Sequence, residues 1–313
     1  MKQLHLTILL VFIALLSGCT KEDLSNCQTI HYLTFEYTKN RQGIDLFSSQ
    51  VKVLNIYVFD EEGKYVKQFS DEGTHLSATS YAIPINLPAG KYTFVVWGGM
   101  KKSYQISDKS NNSEQPLQPS VTCFDHSRLS LSTIDPNKDF PEDLYFGIAR
   151  QVTINAKGSH THIQLVKNTN TIYFVIDGLQ NIRQNANNDY YDVICHMANG
   201  ELRFDNSISL PEKLFQYTPA ERIETENTLT FKIKALRLLT DMKSELILKN
   251  TTTGKEILNK NLIDLLLLSP EINNNEDLDI NDEYHIALSI DTNLSIKITI
   301  NGYTVLDSDH DIQ

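Results

Sequence analysis

Three stretches late in the chain alternate apolar and polar residues with period two, and this pattern limits the fold more than any other feature. Leu229, Phe231, Ile233 and Ala235 alternate with Thr230, Lys232 and Lys234. Tyr284, Ile286, Leu288 and Ile290 alternate with His285, Ala287 and Ser289, and Leu294, Ile296, Ile298 and Ile300 with Ser295, Lys297 and Thr299. Successive side chains of a strand point to opposite faces, so each stretch reads as a strand with one face in a core and the other in solvent. Val51 to Phe59 and Tyr92 to Trp97 are apolar on both faces and read as central strands. Turns at Asp60-Glu61-Glu62-Gly63-Lys64 and Pro88-Ala89-Gly90-Lys91 punctuate them. Helix is expected at Ser127 to Thr133 and at Asn261 to Leu268, where Asn261 can cap dense leucines that stop before Pro270. Those leucines read as core contacts. Ser107 to Ser120 and Asn273 to Asp282 read as surface loops. A boundary at Ala156-Lys157-Gly158-Ser159, with a fresh strand from His162 to Asp177, divides the body into domains at 28–158 and 159–313. The expected class is all-β, with one or two short helices.

The first 18 residues stand apart from this body. Lys2 gives a positive start, and Leu6 to Leu16 is an apolar run broken only by Thr7. A membrane span needs about 20 apolar residues, so this run suits the core of a signal peptide instead. It ends in Leu16-Ser17-Gly18-Cys19, which resembles the lipobox of bacterial lipoproteins. There, small residues admit the signal peptidase and the cysteine thiol takes the diacylglyceryl group. Residues 19–27 then form a lipidated tether, and several acyl chains suffice for stable anchoring. Lys21-Glu22-Asp23 is similar to the Lys-acid-acid export tag of surface-exposed lipoproteins of the Bacteroidetes phylum. A plain solvated linker has the same composition. Cys27, Cys123 and Cys195 remain in an oxidising compartment, where three thiols form at most one pair. A Cys27–Cys123 disulfide would tie the tether to the first domain. Burial of all three as small hydrophobes is an equal alternative.

Charge excludes one class of partner. Lys and Arg number 28 against 39 Asp and Glu, a net charge of −11, whereas nucleic-acid binding needs clustered basic side chains. The same balance disfavours attachment to an anionic membrane through a basic patch. No nucleophile elbow, phosphate loop, dinucleotide fingerprint or zinc-protease motif occurs, and no cofactor or enzymatic activity is expected. His160-Thr161-His162 puts two imidazoles on one strand face, without a cysteine or acid nearby to complete a zinc set. They read as solvent-facing histidines at the domain boundary. Asp277 to Asp282 begins like a calcium loop, but Asp282 replaces the glycine at position six and Leu288 the glutamate at position twelve. No metal site is therefore expected. Lys39, Arg41 and Arg150 read as solvated basic residues, and Asp307 to Asp311 as a disordered acidic end. Tyr190 and Tyr191 are candidates for an aromatic platform under a sugar.

Several segments together carry a family resemblance. The run Cys19-Thr20-Lys21-Glu22-Asp23-Leu24-Ser25-Asn26-Cys27 is similar to the lipidated start of the Bacteroidetes fimbrial anchor lipoproteins. The resemblance continues through Val53 to Gly63, Ala89 to Gly98, Asp143-Leu144-Tyr145-Phe146-Gly147 and Ile298 to Val305. It departs at Tyr303, where family members often carry Trp. The resemblance implies two tandem transthyretin-like Greek-key β-sandwich domains in a surface-exposed lipoprotein of the outer membrane. It implies a chain that anchors a fimbria and limits its length, with a fimbrial shaft subunit and the membrane as partners. Shaft subunits of that system are thought to add a strand to a neighbour, where main-chain hydrogen bonds supply affinity. An acylated anchor must keep its own N-terminal strand. The competing reading is a glycan-binding surface lipoprotein, and a host or bacterial surface ligand stays open.

Overall fold

The computed structural model describes residues 29–110, 113–132, 141–155, 158–182 and 190–308. The first of these residues enter β1 (Thr29–Lys39), which is interior to a sheet. Its neighbours are β4 (Ile83–Leu87), antiparallel, and β9 (Ser159–Lys167), parallel. The sheet continues with β8 (Tyr145–Ile154), β5 (Gly90–Gly98), β2 (Val53–Phe59) and β3 (Tyr65–Glu72), in the order β3-β2-β5-β8-β9-β1-β4. It folds over a core in which Leu33, Phe35 and Tyr37 of β1 join Ile56 and Val58 of β2 and Phe94 and Val96 of β5. Gly147 in β8 lets the layers approach. A Cβ there would stand 2.6 Å from Leu165 Cδ2 and 2.7 Å from Ile163 Cγ2, inside any normal contact.

The double-sided apolarity of β2 and β5 has a cause in the second half of the chain. Their outer faces carry Tyr57, Phe59, Val95 and Trp97, all buried. A small sheet covers them, built from β6 (Tyr104–Asp108), β7 (Ser127–Leu131) and β12 (Glu201–Arg203). β12 belongs to the C-terminal half and pairs Leu202 with Leu129 of β7. Phe204 follows it into the seam, edge-on to Tyr57 at 5.3 Å, Phe59 at 5.8 Å and Trp97 at 6.1 Å between ring centroids.

The C-terminal half is a sandwich. One layer holds β14 (Glu221–Glu224), β15 (Thr228–Leu236), β10 (Thr169–Asp177), β18 (Glu283–Ile290), β19 (Ile296–Ile300) and β20 (Tyr303–Ser308), in that order. The other holds β13 (Phe215–Tyr217), β11 (Tyr191–Met197), β16 (Ser244–Asn250) and β17 (Glu256–Lys260). The alternating residues of β15, β18 and β19 turn inward as expected, and Phe231, Ile286 and Ile298 lie in the core between the layers.

Several sequence expectations change. The break at 158/159 does not fall between sheets, because β9 belongs to the first sheet. The chain changes sheets at Asn168, which divides the expected long strand into β9 and β10. Ser127 to Leu131 is strand, held between β6 and β12 by cross-strand pairing that outweighs its weak helical pattern. Short α-helices number four among the described residues: α1 (Phe47–Gln50), α2 (Leu179–Ile182), α3 (Leu262–Leu266) and α4 (Asn275–Ile280). Asn274 caps α4 by accepting from the Glu276 and Asp277 amides, so the expected loop there is partly helical. α3 matches the expectation, with Asn261 as its cap and Leu262, Ile263, Leu265 and Leu266 buried. Asp307 and Ser308 continue β20, and the rest of the acidic end lies outside the described residues.

Polar groups complete the contact between the halves. Asn168 is fully buried; its amide donates to Leu144 O, and its side chain exchanges hydrogen bonds with that of Asn206. Lys167 pairs with Asp282 at 2.8 Å and Asp143 at 3.5 Å, and Lys234 reaches Asp143 at 3.0 Å. Within the second half, Arg237 forks onto Asp279 at 2.6 and 2.7 Å and donates to Asn206 O beside this crossing. Glu201 of β12 takes Lys109 and Ser130 from the first half. Burial pushes the Asp143 and Glu201 carboxyls up, but their lysine and hydroxyl partners win and hold both below the ordinary carboxylate value.

Two outcomes follow from this seam. Phe204→Ala should destabilise the chain by about 3–5 kcal/mol, the range for emptying a buried aromatic site, read from the midpoint of denaturant unfolding. A carboxylate with a lowered folded pKa stabilises above its unfolded value of about 4 and loses that contribution as pH falls through the folded value. The melting temperature should therefore fall on acidification below about pH 4, and Asp143→Asn and Glu201→Gln should each flatten the fall. An unchanged acid limb in both variants would contradict the assignment.

Candidate functional site

β1 gives the N-terminal half a direction. Its start faces Leu87 and Ser159, beside the turn at 88–90 and the Gly158 N–H bond to Asn155 O. Its end pairs Lys39 with Val166, next to the crossing at Asn168. Just beyond, Arg41 bonds Glu271 of the C-terminal half at 3.1 Å. β1 thus starts at the end of the first sheet opposite the crossing at Asn168. Asp60, Glu61 and Glu62 stand at this same end, with Lys91 on Glu61 at 2.8 Å.

The two halves offer strand edges of unequal character. Among the described residues, β3, β4, β14, β17 and β20 each pair on one side within their sheets. β4 carries Pro84, which has no N–H to donate. β14 reads Glu221-Arg222-Ile223-Glu224 and is exposed throughout, a charged edge of the kind that discourages pairing. β3 carries Lys67, Asp71 and Glu72, and β17 carries Glu256 and Lys260. β20, Tyr303-Thr304-Val305-Leu306-Asp307-Ser308, has one charge and no proline. It is the least guarded of the five.

At the start of β20 the halves frame a cleft of about 490 Å³, lined by Arg41, Glu271, His285, Asn301, Gly302 and Tyr303. The Asn301-Gly302 turn has positive φ at both residues, 49° and 89°, the geometry of a tight hairpin. It presents Tyr303, 43% exposed, whose hydroxyl donates to Glu271 at 3.2 Å. Behind it Tyr173 stacks on His285 with centroids 4.6 Å apart, and Lys232 lies over the Tyr173 ring.

The sequence candidates are distributed unevenly over this frame. Leu16, Ser17, Gly18, Cys19, Lys21, Glu22, Asp23 and Cys27 lie outside the described residues, and so does the Cys27–Cys123 pairing. Cys123 is half-buried, with its Sγ accepting from Lys64 Nζ at 3.2 Å. Cys195 is buried in the second core, which pushes its thiol up to about 12. His160 and His162 face solvent on β9, but beside β1 and inside the first sheet instead of at a boundary. His160 stacks on Tyr32, and His162 contacts Thr34 at 3.0 Å and Glu36 at 3.4 Å. No cluster of three or more His, Cys, Asp or Glu residues suited to a metal occurs among the described residues. Tyr190 is exposed, but Tyr191 is buried with its hydroxyl on Ile182 O, so the two do not form a platform. Arg41 is paired across the halves, and Arg150 lies 4.7 Å over the Phe124 ring. Period-two reading had no signal for Arg41–Glu271 or Tyr303, whose partners are remote in sequence.

Comparison with known proteins places this arrangement. A 22% identical relative is the minor fimbrium anchoring subunit Mfa2 of Porphyromonas gingivalis, aligned over 93% of this chain and 90% of that protein. The solved fimbrial anchor protein Mfa2 of the same organism superimposes with a TM-score of 0.72 at 21% identity, covering 90% of this chain and 100% of that one. A solved Bacteroides thetaiotaomicron protein, described provisionally as polysaccharide-binding, gives a TM-score of 0.78 at 26% identity over 91% of this chain and all of its own. The family model of the fimbrillin-A associated anchor proteins Mfa1 and Mfa2 matches residues 24–309. The chain therefore belongs to the family of fimbrillin-A associated anchor proteins.

Proposed function

We propose that the chain is an outer-membrane lipoprotein, acylated at Cys19 and exposed at the surface, that anchors a fimbria by its C-terminal half and regulates its assembly. The observation that carries this reading is the direction of β1. A lipidated N-terminus would enter at the end of the first sheet opposite the crossing into the C-terminal half at Asn168. The ten residue-to-residue steps from Cys19 to Thr29 reach at most about 35 Å when fully extended. The first half would thus be kept near the membrane, with the second half facing away. Leu16, Ser17 and Gly18 serve signal-peptidase cleavage, and Lys21, Glu22 and Asp23 serve export. A shaft subunit would add a strand to β20, whose edge carries one charge and lacks the proline of β4 and the several charges of β3, β14 and β17. β1 is held on both sides, so this chain offers an edge without giving up its own first strand. The family is one of structural anchor proteins and not an enzyme class.

Cys19→Ala should move the protein and its fimbriae from the membrane fraction to the medium; retention of both would overturn the lipid anchor. Thr304→Pro should leave the melting temperature near wild type and abolish capture of the shaft subunit in a pull-down. Undiminished capture would remove β20 from the account.

A second reading rests on the cleft at Tyr303. An exposed aromatic ring beside Arg41, Glu271 and Asn301 is suited to a sugar, with ring stacking below and hydrogen bonds at the rim. The Bacteroides thetaiotaomicron relative described as polysaccharide-binding favours the same class of ligand. On a glycan array, binding by the mature chain that Tyr303→Ala removes would support this site. Binding unaffected by the substitution would place the sugar elsewhere.

A further inference from the structure

The topology around β1 has a mechanical consequence that none of the relatives' names records. β1 and β9 are parallel, and they leave the sheet at opposite ends. The chain before β1 departs from its start, whereas β9 continues past Lys167 and Asn168 into β10 of the C-terminal half. Tension between the N-terminus and the C-terminal half therefore pulls β1 backward and β9 forward along a common axis. Hydrogen bonds between parallel strands run across that axis at a slant, so the whole ladder from His31–Ser159 to Lys39–Val166 takes the load at once. β4 on the other flank adds the pairs from Thr29–Leu87 to Leu33–Ile83, which also slide lengthwise under this pull.

Three side-chain features resist the same displacement. Leu33, Phe35 and Tyr37 on the inner face of β1 are buried in the first core and would have to be dragged through it. Buried His31 bonds Ser159 at 2.6 Å and Thr161 at 3.1 Å, joining β1 to β9 beyond the backbone. On the outer face Tyr32 stacks on His160, and Thr34 meets His162. The next link is equally central. β10 lies between β15 and β18, and the reciprocal Asn168–Asn206 amide pair fixes the crossing.

We propose that β1 and β9 form a shear clamp, a parallel strand pair that carries tensile load between the N-terminal tether and the C-terminal half. This rests on the anchoring function for its physiological purpose, but the clamp itself is a property of the isolated protein. In an unzipping geometry a ladder opens one pair at a time, and each pair bears the force alone. In shear the pairs bear it together, and rupture requires a larger force.

Single-molecule pulling on the mature chain tests this with two handle placements. Handles at the N-terminus and at Asn293, in the turn after β18, load β1 in shear. Handles at the N-terminus and at Ala89, in the turn after β4, draw the antiparallel β1–β4 pair apart from its open end. The rupture force that frees β1 should be at least about twofold higher in the first geometry, because several interstrand bonds must fail together. Equal forces in the two geometries would overturn the clamp. That outcome would leave the anchoring reading intact, since membrane fractionation of Cys19→Ala tests it separately. A His31→Phe variant sharpens the result. It should lower the shear force while leaving the unzipping force at Ala89 unchanged, provided the thermal melt shows a folded chain. A fall of the same proportion in both geometries would indicate general destabilisation and count against the clamp.

Discussion

The parallel pairing of β1 with β9 is the interaction on which the rest of the structure depends. It puts the first described strand in the interior of a sheet, where two neighbours satisfy its backbone. It sets the ends of the N-terminal half, because one strand comes from the N-terminus and the other leads to the second half. It also requires the sheet to close over its own core, with Gly147 allowing the close approach at the bend. Without this pairing, Leu33, Phe35 and Tyr37 would have no core to enter.

The two halves are joined by burial first and charge second. Phe204 and Leu202 enter an aromatic seam made by Tyr57, Phe59 and Trp97, and β12 extends a sheet of the other half. The ion pairs of Asp143, Lys167, Asp282 and Lys234 ring the crossing at Asn168. Burying charge is costly unless it is paired, and here Asp143, Asp279, Asp282 and Glu201 each have a lysine or arginine within reach. The outcome is a body whose halves share a hydrophobic cluster and a strand pairing.

Much of the fold could be read from alternation alone. β15, β18 and β19 follow from Phe231, Ile286 and Ile298 and their polar neighbours, because each has one dry face and one wet face. α3 was legible from Asn261 and the leucines after it. The double-sided apolar strands β2 and β5 were legible as central, but not the identity of what covers Trp97, since Phe204 is more than a hundred residues away. The break at Asn168 was hidden for a related reason. β9 and β10 are both alternating strands with one residue between them, and only the pairing partners show that they serve different sheets. The Asp277–Asp282 run looked like a failed calcium loop, whereas Asp279 and Asp282 pair with Arg237 and Lys167 across the sequence. The cleft residues Tyr303, Arg41 and Glu271 left no local pattern at all, because the cleft exists only once the halves meet.

The account's central claim is polarity: membrane at the β1 start, fimbria at the C-terminal half. Site-specific photocross-linking in intact fimbriated cells tests it directly, with a probe placed at Thr304 on β20 or at Glu62 in the turn after β2. The account predicts adducts with a shaft subunit from Thr304 and none from Glu62. Shaft adducts from Glu62 and none from Thr304 would reverse the molecule and contradict it.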